Sequence, residues 1–117
     1  MYKLLPFFFS VLSFLPLSTM NDKLQTPFEK GNGNQTASYQ ETIAYYQLLS
    51  EELEEVKLYA LDKTDVGKPL PLVVVDKSKH FDADKTKKEG KLVLLINNAI
   101  HPGEPEGVDA SMMLARD

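Results

Sequence analysis

One pair of side chains has both the types and the setting for chemistry: His101 and Glu104, in the run INNAIHPGEPEG. An imidazole nitrogen and a carboxylate oxygen are both zinc ligands, each held about 2 Å from the ion. Pro102 fixes its own φ, and Pro105 drives Glu104 toward an extended backbone. Gly103 between them permits a sharp turn. A loop stiffened this way can aim both groups at a single point. The same residues would also serve, more plainly, as the capping loop of the helix that follows, and spacing alone does not choose. The other histidine, His80, has no second ligand at useful spacing and reads as a surface residue. The 117 residues contain no cysteine, which excludes disulfide frameworks, cysteine-ligated zinc and thiol nucleophiles.

The elements that must position the pair follow from pattern. Just upstream, Lys91 to Asn98 reads as a strand, and the unbroken apolar run Leu92 to Ile96 predicts cover on both faces, as in a parallel sheet. Ligands of open α/β sheets bind outside the carboxyl ends of the strands, where His101 and Glu104 would then lie. Downstream, Pro105 suits a first helical position, and Glu106 and Asp109 fall in the first turn, where the positive end of the helix dipole favours carboxylates. That helix runs to Asp117 without a stop signal, so the chain reads as cut inside it. Ser38 and Glu41 form a capping box for an earlier helix. Ile43, Tyr46, Leu49, Leu53 and Val56 give it one apolar stripe, with Glu51, Glu52, Glu54 and Glu55 on the solvated face. Two strands, Lys57 to Leu61 and Leu70 to Val75, flank turn chemistry at Asp65 to Pro69. Pro71 pushes the second toward a sheet edge or strand start. Asp76 to Gly90 reads as a solvated connection.

The two ends of the chain differ in kind. Met1-Tyr2-Lys3 precedes 14 charge-free, largely apolar residues, Leu4 to Leu17. A spanning helix needs about 20 such residues, whereas a signal-peptide core needs about 7–15. Residues 1–20 are therefore expected to be a signal peptide, which makes the protein exported, periplasmic or extracellular, with no stable membrane insertion afterwards. The alternative is an uncleaved anchor, and the cleavage position is not legible. Asn21 to Ala37 reads as a linker. It contains Asn34-Gln35-Thr36, a glycosylation match that is common by chance. Residues 38–117 are the folded body. Thirteen Lys and Arg against 17 Asp and Glu give a net charge of −4 with no basic cluster, which argues against nucleic acid as a partner.

INNAIHPGEPEG resembles the first metal-binding motif of the zinc carboxypeptidase family. The order upstream is similar as well: YQETIAYYQLLSEELEEV, KLYALDKTDVGKPLPLVVV, a charged gap and KLVLLINN, so the resemblance spans about Tyr39 to Asp117. HPGEPEG is its specific part, and the GKP turn only supports it. The resemblance implies an α/β fold: a mixed central sheet with helices on both faces, here truncated after the first metal-binding motif. It implies that His101 and Glu104 are two of three zinc ligands, the third being a downstream His, and that the activity is removal of C-terminal residues from peptide substrates. The family's general-base Glu and its carboxylate-gripping Arg match no residue of this chain. The catalytic and substrate-binding residues are therefore unknown, and the chain alone is expected to be inert and to bind zinc weakly. Gly103 departs from many digestive members, which carry a substrate-contacting Arg there. That leaves specificity open and keeps relatives that hydrolyse N-acyl amino acids or cell-wall peptides in view. Two other readings remain: a non-catalytic binding module that retains the loop, and an unrelated exported α/β protein in which the pair only caps a helix. The sequence gives no oligomeric state.

Overall fold

The computed structural model describes residues 20–117. The signal peptide read over residues 1–20 thus lies outside the described residues, apart from Met20. The elements are α1 (Met20–Lys23), α2 (Pro27–Lys30), α3 (Tyr39–Glu52), β1 (Val56–Lys63), β2 (Pro69–Val75), α4 (Ala83–Lys88) and α5 (Glu106–Arg116). Together they make a small mixed α/β arrangement around one two-stranded antiparallel sheet. Among the described residues no helix is long and apolar enough to cross a membrane.

Helix α3 starts where its capping box predicts. Ser38 is extended, its hydroxyl accepts from the Glu41 amide at 3.3 Å, and the Glu41 carboxylate accepts from the Ser38 amide at 2.8 Å. Its buried side chains are Tyr45 and Leu49 rather than the whole expected stripe; Tyr46, Leu48 and Leu53 pack partly against the core. Partners choose the face. Tyr45 lies toward Leu24, whose carbonyl accepts from the phenol at 2.7 Å, so the ring is buried without an orphaned hydroxyl. Leu24, Tyr45, Leu49, Val56 and Met112 form the core.

The hairpin is the expected one, slightly longer. Val56 faces Val75 and Tyr59 faces Leu72, and the register slips between Ala60 and Asp62, beside Pro71. Proline donates no ladder hydrogen bond, so an irregularity there is where the pairing tolerates it best. Gly67 supplies the turn with φ +76°.

Besides α4, which forms behind an Asp82 cap inside the expected solvated connection of residues 76–90, two segments differ from the sequence reading. Residues 21–37, read as a linker, carry a second capping box on α2 (Thr26 with Glu29) and a buried Leu24 and Thr26. They are also stitched to α5. The Asp109 carboxylate, only 4% exposed, accepts from the Thr36 hydroxyl at 2.6 Å and from the Ala37 amide at 3.1 Å. Arg116 donates to both Glu29 oxygens, at 2.9 and 2.7 Å, and to the Leu24 carbonyl at 3.3 Å.

The second difference is the expected buried strand. Lys91 to Asn98 pairs with neither β1 nor β2; Leu92 is 100% exposed, Val93 and Leu94 82%, and Leu95 78%. A strand covered on both faces needs flanking strands and two helical layers. Among the described residues the sheet stops at two strands, so the run has nothing to lie between.

Candidate metal site

The loop from Ala99 to Pro105 joins the exposed run to α5. Two of its residues have left-handed backbone, Ala99 at φ +56° and Gly103 at φ +83°. At Gly103 a side chain would meet open space, so its requirement is the dihedral itself, which Gly alone adopts at no steric cost. The Arg of the resembling family would be strained at this position. With the chain turned at these two positions, the loop brings its predicted pair together. His101 Nδ1 lies 3.1 Å from Glu104 Oε2, and both side chains are well exposed, at 70% and 65%.

That separation suits two readings. It is a hydrogen-bonded or ion-paired contact as it stands. It is also close to the spacing a metal asks for: two ligands about 2.0–2.1 Å from a tetrahedral ion sit roughly 3.3 Å apart. An imidazole nitrogen and a carboxylate oxygen are chemically apt zinc donors, so the pair fits two positions of a zinc site. Asn97 to Ile100, Glu106 and Gly107 line the rest of an open concavity of about 390 Å³ around them. Among the described residues no group of three His, Cys, Asp or Glu side chains converges to hold an ion.

The helix-capping role weighed for the pair finds no contact to support it. Pro105 is the N-cap of α5 rather than its first helical residue, no side chain makes a cap hydrogen bond there, and the bond that Glu104 makes runs to His101. His80 stands apart from this pair, but it is half-buried rather than freely exposed and has Glu89 as a carboxylate neighbour of its own. Lys85 Nζ can only donate, so at 2.9 Å it makes His80 Nε2 the acceptor, and Nδ1–H then donates to Glu89 at 3.3 Å.

Two contributions escaped the sequence reading. Asp109 is a stitch between α5 and the segment before α3, not only a helix-dipole carboxylate. Asn98 is the other. Its amide nitrogen donates to the Ser111 hydroxyl, and its carbonyl oxygen sits where a side chain at Gly107 would begin, 2.7 Å from an added Cβ. The i, i+4 spacing of Gly107 and Ser111 on α5 was the available signal, but nothing local names Asn98 as its partner. Electrostatics below the site are those of support. The hydrogen bond from Arg116 holds the Glu29 carboxyl below the ordinary glutamate value. Arg116 itself is pushed further up, first by Asp117 and then by Glu29. Set against known proteins, the chain matches no family model, no curated protein and no solved structure.

Proposed function

We propose that this chain carries the first two ligands, His101 and Glu104, of a zinc-dependent carboxypeptidase site acting on peptides outside the cytoplasm. The observation that carries the reading is the facing of His101 Nδ1 and Glu104 Oε2 at 3.1 Å in an open concavity, in a motif that resembles the family's. The unbroken apolar run Leu92 to Ile96 is of the kind carried by a strand covered on both faces, as in the family's mixed central sheet. His101 and Glu104 would hold the ion; Pro102, Gly103 and Pro105 fix the turns that keep them facing. Zinc in such a site supplies Lewis acidity and an acidified water. The concavity leaves the peptide's path to the pair open. The expected export rests on Lys3 followed by the apolar run Leu4 to Leu17, and exported protein that still begins at Met1 would overturn it.

The test is zinc titration of the full chain by calorimetry, with peptide hydrolysis assayed alongside. We expect weak zinc binding, lost in His101→Ala and Glu104→Gln, and no turnover, because a catalytic zinc wants three protein ligands. Binding untouched by both substitutions would overturn the site. Sub-micromolar binding with hydrolysis would overturn the two-ligand reading. In any longer form that cleaves peptides, Glu104→Gln should abolish release of C-terminal residues while leaving the fold intact.

A further inference from the structure

We infer that Asn98, clamped to Ser111 across Gly107, is the positioning residue that sets the His101–Glu104 pair for metal. The inference rests on the zinc reading above. Asn98 is the last residue before the site loop and is half-buried, whereas His101 and Glu104 project into solvent. Its amide spans the gap between the loop's entrance and the second turn of α5. The nitrogen donates to Ser111 Oγ, and the oxygen lies in the space that a side chain at Gly107 would need. The loop's exit is already fixed, because the Pro105 carbonyl accepts from the Val108 and Asp109 amides at 2.9 and 3.1 Å.

Asn98 therefore closes the loop at its other end. Seven residues, Ala99 to Pro105, are held at both ends on one helix, and the two ligands lie between. Entrance and exit positions set the ligand separation, so a loop released at Asn98 keeps both ligands but spreads their distances. Supporting groups of this kind typically change metal affinity by about 10–100-fold.

Gly107 provides the cleanest probe. An Ala Cβ there would stand 2.7 Å from Asn98 Oδ1 and must displace the amide. Yet Ala favours a helix over Gly. A merely structural role and a positioning role therefore predict opposite outcomes. The experiment titrates the full chain with zinc, and with cobalt for its visible spectrum, in wild type, Asn98→Ala, Ser111→Ala, the double variant, Ser111→Thr, Gly107→Ala and His101→Ala. Urea midpoints are followed in parallel. We expect Asn98→Ala and Ser111→Ala each to weaken zinc binding about tenfold, with the double variant no worse than either single one. Ser111→Thr, which keeps the hydroxyl, should restore binding. Gly107→Ala should bind zinc less tightly and alter the cobalt spectrum while its urea midpoint holds or rises.

Wild-type zinc affinity and cobalt spectrum in Asn98→Ala and Gly107→Ala, with binding lost in His101→Ala, would overturn the clamp and leave the metal site standing. Identical titrations of wild type and His101→Ala would overturn the metal reading and the clamp with it.

Discussion

Replacing Leu94 by Lys tests whether the apolar run before the site loop contributes to the fold of this chain. Leu92 to Ile96 leave the equivalent of about four whole apolar side chains in water. At about 1.5–3 kcal/mol for each side chain fully buried, roughly 6–12 kcal/mol of burial goes unused. That is comparable to the entire stability of an ordinary domain, about 5–15 kcal/mol. Such a surface favours self-association. Leu94 is 82% exposed, so Leu94→Lys should change monomer stability by no more than about 0.5 kcal/mol and sharply reduce association. The same substitution in a packed strand would bury an unpaired charge and cost several kcal/mol. Urea unfolding at low protein concentration reads the first quantity, and sedimentation velocity over a concentration series reads the second. A loss of more than about 2 kcal/mol in the dilute monomer would refute the exposed placement of the run.

Removing the Asp109 stitch should be costly and coupled. Asp109→Ala removes the acceptor of the Thr36 hydroxyl and the Ala37 amide, both only partly shielded from water, and a double-mutant cycle with Thr36→Val should give a coupling of about 1 kcal/mol by denaturant titration; additive effects would refute the contact. Leu49→Ala, at a fully buried position between α3 and α5, should cost about 3 kcal/mol in the same assay, and a loss under about 1 kcal/mol would show that the core is not formed. Acid should weaken the fold through Glu29. Its carboxyl titrates below the ordinary value of 4.5, so folding binds fewer protons than the unfolded chain does. The stabilisation is complete above that value and fades as pH falls through the lower folded one. Glu29→Gln should flatten the urea midpoint against pH below 4.5, and superimposable profiles would count against the Arg116 bond.

What the sequence disclosed was whatever the chain settles locally. Ser38 and Glu41 lie three residues apart and cap α3 as read, and Gly67 marks the hairpin turn. Pro71 marks where the ladder slips. Partner choice was hidden. Tyr45 and Tyr46 are neighbours of one type, and only the Leu24 carbonyl decides which is buried. The run Leu92 to Ile96 declares a demand for cover, and pattern cannot say whether cover is present. The site divides the same way. His101 and Glu104 announced themselves by type and by a loop stiffened with proline, and the structure brings them together. Asn98 did not, because an Asn beside an Ala-Ile pair looks like any loop residue until Ser111 is folded over it.

The stitching of the N-terminal segment to α5 also dictates an order of assembly. Thr36 and Asp109 are 73 residues apart, and Leu24 and Arg116 are 92 apart. The β1–β2 hairpin closes over a turn of a few residues. By the logarithmic dependence of closure entropy on length, a loop an order of magnitude longer costs roughly 2 kcal/mol more to close. The hairpin and α3, with Leu24 against Tyr45, should therefore be in place first, whereas Glu29, Thr36 and Ala37 gain their partners only once Asp109 and Arg116 have been synthesised and coiled into α5. The loop bearing His101 and Glu104 enters this helix just ahead of Asp109. Its seat thus becomes firm only when the earliest part of the folded chain meets the latest.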